Sequence, residues 1–196
     1  MTSDSHVARR PSNATAAPTP QMHDTTQDTV AVPSDPTELA KRDDVDAVTD
    51  TLPHGDEDHC EAEYAGRAIV GVTNDDGEVL LVTDRDAGRA VLPSPKVEHD
   101  GDWTATAREE LADIAGMAVQ ITGVERVRHA EHVIQGDDEV FDETTHVVLA
   151  ADPVAADPEL PDLDAEEWSL EWHDSYPDEL LEDGRPEAGD VQLFVD

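Results

Sequence analysis

Residues 92–117 read LPSPKVEHDGDWTATAREELADIAGM and contain the strongest local structural signals of the chain. The second half of this stretch is the clearest helix signal of the chain, because Asp102 can cap the N-terminus and Gly116 can end the helix. At helical spacing, one face is apolar with Ala107, Leu111 and Ile114, and the neighbouring face is polar with Thr106, Glu109, Glu110 and Asp113. We therefore predict a helix over residues 103–115 with one side in the core and one side that carries carboxylates.

The regions on either side of this helix predict strands. Residues 68–72 form a continuous apolar run, and residues 78–83 form a second run after the turn sequence at 74–77, so a hairpin is expected. Further strands are predicted at 119–121, 125–134, 146–151 and 168–172, followed by a short helix at 177–181. The predicted fold class is α/β, in the form of an α+β sandwich with a mixed sheet flanked by helices.

The N-terminal third has a different composition. Residues 1–34 are rich in Ser, Thr, Pro, Ala and Asp without hydrophobic periodicity, which is typical of a disordered acidic tail. Asp35 and Pro36 can open a helix over 35–52. We therefore predict a disordered region at 1–63 that contains this one helix, and a folded domain at 64–196. His54, His59 and Cys60 are too sparse for a zinc site.

The charge balance excludes several classes of function. The chain has 48 Asp and Glu, 12 Lys and Arg, and a formal net charge of -36. The negative charges repel one another, and this repulsion is largely screened at about 1 M salt. The composition therefore predicts a halophilic, haloarchaeal-type protein. No basic stripe is present for nucleic acid. With one Cys, no signal-peptide pattern and no long apolar segment, the expectation is a cytoplasmic protein without membrane contact.

The stretch at 92–117 also resembles the signature of the Nudix hydrolases. That signature reads Gly, five residues, Glu, seven residues, Arg-Glu-U-x-Glu-Glu-x-Gly-U, where U is a bulky aliphatic residue. Laid on this chain from position 95, it is matched by Glu110, Leu111, Gly116 and Met117, and Asp113 replaces a Glu conservatively. The chain departs from it at Pro95, Gly101, Glu109 and Ile114. With its flanking features, the resemblance covers most of residues 65–183.

The resemblance implies an enzyme that hydrolyses a small nucleotide-type diphosphate with Mg²⁺ or Mn²⁺. The cation would neutralise the pyrophosphate while water attacks phosphorus. Glu110 and Asp113 lie three residues apart on one helix, so their side chains can share a metal ion. The backbone carbonyl of Pro95, at the position of the family's first Gly, is a third candidate ligand.

The remaining candidate site residues flank the helix. Gly101 leaves no carboxylate at the family's first Glu position, but Glu98, Asp100 or Asp102 is close enough in sequence to serve instead as base or ligand. Glu98 and Glu110 are the candidate catalytic residues. Arg85 and Lys96 are the candidate substrate-binding residues. Ile114 continues the apolar stripe and is expected in the core, which removes one metal ligand. A competing hypothesis follows from these departures: a Nudix-like binding or regulatory domain that has lost turnover.

Overall fold

The computed structural model describes residues 35–57, 63–84, 88–156, 158–161, 168–176 and 186–195. The predicted disordered tail at 1–34 and the predicted helix at 177–181 lie outside these ranges. The described residues form two β-sheets and a few helices, so the α+β prediction is confirmed. Within these ranges, no helix combines the length and the apolar composition that crossing a bilayer requires.

The larger sheet is mixed, as predicted. Its strand order is β1-β6-β7-β2-β5, with β1 parallel to β6, β2 parallel to β7, and the other pairs antiparallel. These strands are β1 Asp46–His54, β2 Gly66–Val72, β5 Lys96–Val97, β6 Val119–Ile134 and β7 Val140–Pro153. Strand β6 runs as one element through the two segments predicted separately, with register shifts near Gly123.

The smaller sheet corrects the predicted hairpin. Its order is β4-β3-β8, formed by β3 Val79–Asp84, β4 Arg89–Val91 and β8 Trp168–His173. The turn is as predicted, since Asn74 Oδ1 accepts the backbone N–H groups of Asp76 and Glu78, and Gly77 has a φ of 83°. However, β2 and β3 diverge into different sheets and share one isolated bridge. Both strands are buried on both faces. Each pairs with strands that are more distant in sequence, β2 with β7 and β5, and β3 with β4 and β8.

The predicted helix at 35–52 is wrong over most of its length. A short helix, α1 Pro36–Leu39, begins at the Asp35 cap, and β1 follows from Asp46. Strand β1 pairs with β6 over nine residues, so the folded domain also begins upstream of the predicted boundary at residue 64. The apolar residues Val48 and Leu52 fit a period of two as well as a helical period, and the pairing with β6 decides between them.

The central helix, α2 Trp103–Ala115, agrees with the prediction at both ends. Asp102 Oδ1 accepts the N–H groups of Thr104 and Ala105, both at 2.9 Å. Gly116 ends the helix with a φ of 60°, in the left-handed region. Four side chains of α2 are buried against the larger sheet and the neighbouring strands: Trp103, Ala107, Leu111 and Ala115.

A third helix, α3 Pro186–Val191, packs on the opposite side of the larger sheet from α2 and is joined to the sheet by buried charged side chains. Arg128 on β6 is 2% exposed and donates to Asp190 of α3 at 2.7 Å and to Asp50 of β1 at 2.6 Å. Burial alone would lower the pKa of Arg128, but the hydrogen bonds and charges of Asp190 and Asp50 outweigh this effect and raise it. The guanidinium therefore ties three elements together as a cation.

Candidate functional site

The polar face of α2 carries two carboxylates that differ in environment. Glu110 is half-buried, whereas Asp113, one turn later, is exposed. Neither forms a hydrogen bond or an ion pair with any part of the chain that the structure describes. Glu109, beside Glu110 in sequence, is exposed. The helix thus presents one carboxylate inward and a second one near it at the surface.

Glu110 borders a cavity of about 490 Å³ between α2 and the smaller sheet. The cavity is mainly apolar, with one acidic and one basic side chain among the residues that line it. These residues are Val82, Arg89, Val91, Leu92, Pro93, Ser94, Glu110, Ile114, Trp168 and Leu170. A cavity of this size with few polar groups has the character of a small-molecule site.

The electrostatics of Glu110 favour a bound cation. Burial and, to a smaller extent, the negative charge of Asp113 raise the pKa of the Glu110 carboxyl. Both effects penalise the ionised carboxylate, and a cation between Glu110 and Asp113 would relieve both. Glu110 at the cavity and Asp113 one turn further along α2 also offer the carboxylate oxygen atoms that Mg²⁺ or Mn²⁺ prefers as ligands. The residues present therefore fit a divalent metal ion.

Three of the other predicted site residues, Pro95, Lys96 and Glu98, do not line this cavity. The carbonyl of Pro95 accepts the N–H of Ala68 at 3.0 Å and thus extends the sheet pairing of β2. The ammonium of Lys96 lies 4.8 Å from the ring centroid of Tyr64, in a cation–π contact on the surface. Glu98 is exposed, on a turn closed by the N–H of Gly101. Arg85 lies outside the described residues.

Gly101 occupies a place where a side chain does not fit. A Cβ atom at this position would lie 2.9 Å from Val97 Cγ1 and 3.0 Å from the Glu98 carbonyl oxygen. Val97 is fully buried, so it cannot easily move away. The departure from the family's Glu at this position is therefore built into the shape of the turn before α2.

Ile114 is only partly a core residue. It is half-buried, packs against the main apolar cluster, and lines the cavity together with Glu110. The predicted packing of Ile114 against the core is therefore correct, but its position at the cavity was not predicted. An acidic side chain at this position would face the same cavity as Glu110.

Arg89 is the site residue that sequence reasoning missed. Its guanidinium carbon lies 5.4 Å from the ring centroid of Trp168, and both side chains line the cavity. Its Nε is buried and has no hydrogen-bond partner among the described residues. The sequence feature that could have indicated Arg89 is the small number of basic residues. With 12 in the whole chain, an Arg on the strand before residues 92–117 is unusual.

Comparisons with known proteins complete the description. No family model matches the chain, and no curated protein matches its sequence. A UDP-X diphosphatase structure matches with 15% identity and a TM-score of 0.46, over 65% of this chain and 59% of that one. A MutT protein from Bacillus halodurans matches with 16% identity and a TM-score of 0.41, over 66% and 72% of the two chains.

A third solved structure, a Nudix hydrolase from Nitrosomonas europaea, matches with 20% identity and a TM-score of 0.32, over 54% of this chain and 56% of that one. The chain thus spans 59% of the length of the UDP-X diphosphatase. Likenesses of this extent decide neither the family nor the substrate.

Proposed function

We propose that this protein is a Nudix-type hydrolase that cleaves a nucleoside-diphosphate-linked substrate with Mg²⁺ or Mn²⁺ at the cavity beside Glu110. The observation that carries the proposal is the environment of Glu110. This residue matches the family signature and is also the one acidic side chain among the described residues that line the cavity. Its burial and the nearby Asp113 disfavour its charge unless a cation is present.

The proposal assigns roles to the charged residues at the cavity and to its apolar wall. Glu110 and Asp113 would hold the metal ion, which would supply charge neutralisation for the pyrophosphate and activation of a water molecule. Arg89 supplies a second positive charge for a substrate oxygen, and Trp168 holds its guanidinium in place. A substrate that fills the cavity would displace water from its apolar wall, and this would strengthen these charge interactions.

The general base is the least constrained part of the proposal. A base must come within hydrogen-bond reach of the attacking water, directly or through one water molecule. Glu98 keeps this role in the proposal because it lies on the turn that leads into α2, although it is exposed and outside the cavity lining. Lys96 and Arg85 stay proposed substrate contacts, and the Pro95 carbonyl a proposed ligand through its second lone pair.

The alternative function is a Nudix-like binding or regulatory domain without turnover. It is favoured by the turn at Gly101, which has no room for a side chain at the family's first Glu position. It is also favoured by the Pro95 carbonyl, which is already hydrogen-bonded to Ala68. A domain of this kind would keep the cavity and bind the same class of ligand.

A hydrolysis screen separates the two functions. The full chain in about 1 M KCl, where its charge is screened, is incubated with Mg²⁺ or Mn²⁺ and with nucleoside diphosphate sugars, dinucleoside polyphosphates and nucleoside triphosphates. The proposal expects metal-dependent release of a nucleotide product, seen by anion-exchange chromatography and abolished by chelator. Ligand binding without turnover of any of these classes would contradict it and favour the binding domain.

A further inference from the structure

Three further potential metal ligands meet on the larger sheet, outside the cavity beside Glu110. Glu131 on β6 lies directly opposite Glu143 on β7, and His129 lies two residues away from Glu131 on the same face of β6. His129 Nε2 is 3.4 Å from Glu143 Oε1. One ligand atom from each of the three side chains lies within 4.8 Å of the other two.

The pairing of Glu131 with Glu143 is unfavourable by itself. Like charges directly opposite each other on neighbouring strands destabilise a sheet. In the part of the chain that the structure describes, neither carboxylate pairs with Lys or Arg, and His129 is the one ion-pair partner of Glu143. The chain as a whole carries a net charge of -36, which adds to the repulsion. A cation between the two strands would turn this repulsion into attraction.

We propose that His129, Glu131 and Glu143 form a binding site for a first-row transition-metal cation such as Zn²⁺. One imidazole nitrogen with two carboxylates suits Zn²⁺, Ni²⁺ or Cu²⁺, whereas Mg²⁺ and Ca²⁺ prefer oxygen ligands alone. Three protein ligands leave one position of a tetrahedral zinc site open to water or to a small ligand.

The surroundings allow the site to close around a metal ion. Bonds of about 2.0–2.2 Å require ligand atoms roughly 3 Å apart, so the side chains must approach one another slightly. The side chains of His129 and Glu143 are 45% and 60% exposed, which leaves them free to rotate. The strands are held nearby by the buried pair Val127 and Val147, which lie on the same face, two residues from His129 and four residues from Glu143. The paired strands thus fix the positions of the three residues, and rotation of the exposed side chains can bring their ligand atoms closer together.

The test measures metal binding by the full chain in about 1 M KCl, where surface repulsion is screened. Zn²⁺ is titrated by calorimetry into metal-free Glu110→Gln protein, so that the proposed site on α2 does not contribute. Adding His129→Ala should abolish one binding site, and Glu131→Gln or Glu143→Gln should weaken it by roughly 10- to 100-fold. His99→Ala and Glu125→Gln are the matched controls, because both residues are exposed and lie outside the cluster.

A second readout identifies the ligand atom directly. With one equivalent of Cu²⁺, electron paramagnetic resonance should show nitrogen coupling from one imidazole, which disappears in His129→Ala and persists in His99→Ala. If His129→Ala and His99→Ala bind Zn²⁺ equally, or if the nitrogen coupling is unchanged by His129→Ala, the proposal is overturned. Circular dichroism establishes that each variant is folded. The result is independent of the proposed hydrolase, since the Glu110→Gln background removes that activity.

Discussion

Glu110 combines two properties that an ordinary surface glutamate lacks, namely partial burial and a negative neighbour one helical turn away. Both properties raise the pKa of its carboxyl, with burial as the larger cause. A carboxyl whose pKa is higher in the folded state than in the unfolded state disfavours folding once it is ionised in both. The penalty is fully present above the folded pKa and disappears as the pH falls below the ordinary value of 4.5.

Glu110→Gln should therefore raise the stability of the metal-free protein at pH 7. The gain should be at most about 0.5 kcal/mol, because the carboxylate is still half-exposed and screened by solvent. It should shrink as the pH falls toward and below 4.5, and thermal unfolding at several pH values measures it. Glu109→Gln, the same change at the exposed neighbour, is the control. A loss of stability at pH 7 in Glu110→Gln would contradict the desolvation argument.

Ile114→Glu tests whether the metal site can be completed. Without metal the variant should be less stable by about 1–2 kcal/mol, because a half-buried apolar side chain is lost and a third carboxylate is added. Mg²⁺ or Mn²⁺ should restore more stability to this variant than to the wild type, because tighter binding to the folded state stabilises it. Thermal midpoints with and without metal give both quantities. Equal metal responses in the two proteins would argue against a metal site at Glu110.

The site residues differ in how far they could be predicted from sequence. Glu110 and Asp113 were found because helical spacing and the family signature act within one short segment, although their metal binding stays a prediction. Arg89 was missed because Trp168, the residue that its guanidinium contacts in the cavity, lies almost 80 positions later in the sequence. The substrate contact of Lys96 stays a prediction, and no spacing rule could reveal the contact of its ammonium with the ring of Tyr64.

At the level of elements, α2 owes its ends to local chemistry. Asp102 accepts two backbone N–H groups of the first turn, and these bonds, with that of the Thr104 hydroxyl, lower the pKa of its carboxyl. The cap therefore stabilises the fold above the ordinary value of 3.8, and this contribution is lost as the pH falls through the folded pKa. Because the capping residues are adjacent to the helix in sequence, the sequence was sufficient to predict both ends of α2.

Asp102→Ala should destabilise the protein by about 1 kcal/mol at neutral pH, since two N–H groups at the helix N-terminus lose their acceptor. The difference from wild type should decrease below pH 3.8, where the carboxyl of the wild type becomes protonated. Denaturant unfolding at neutral and acidic pH checks both statements. Asp100→Ala, an exposed acidic residue two positions earlier, should change the stability little. Equal effects of the two substitutions would mean that α2 does not depend on its cap.

The structure of strand β1 could not be predicted from its own residues. Its sequence fits a helix or a strand, and its partner β6 lies about 80 positions further along the chain. Arg126 and Arg128 on β6 reach Asp46 and Asp50 on β1, so ion pairs and backbone pairing together select the strand. Information of this kind is distributed between distant segments, and neither segment contains it alone. The separation of β2 and β3 into two sheets has the same origin.

At the scale of the whole molecule, charge repulsion opposes folding. The formal net charge is -36, and two of the 12 basic residues are already committed to the ion pairs that join β1, β6 and α3. The surface therefore has few cations with which to compensate its carboxylates. We propose that the protein is adapted to high salt, where mobile cations supply this compensation.

The thermal midpoint should rise by roughly 5–10 °C between about 0.1 and 1 M KCl, as the Debye length falls from about 10 to 3 Å. Most of the rise should come from nonspecific screening, so NaCl should act nearly as well as KCl. Differential scanning calorimetry at constant pH measures the effect. A midpoint independent of salt would contradict the proposed adaptation to high salt.

We propose that Glu110 holds a catalytic metal ion in the cavity beside α2, and a comparison of metal-stimulated hydrolysis by wild type, Glu110→Gln and Glu109→Gln, with the substrate class found in the screen, tests this role. Glu110→Gln should lose about 100-fold or more of kcat, because the amide keeps the shape but not the charge of a metal ligand. Glu109→Gln should keep wild-type activity. Wild-type turnover by folded Glu110→Gln protein would contradict the account.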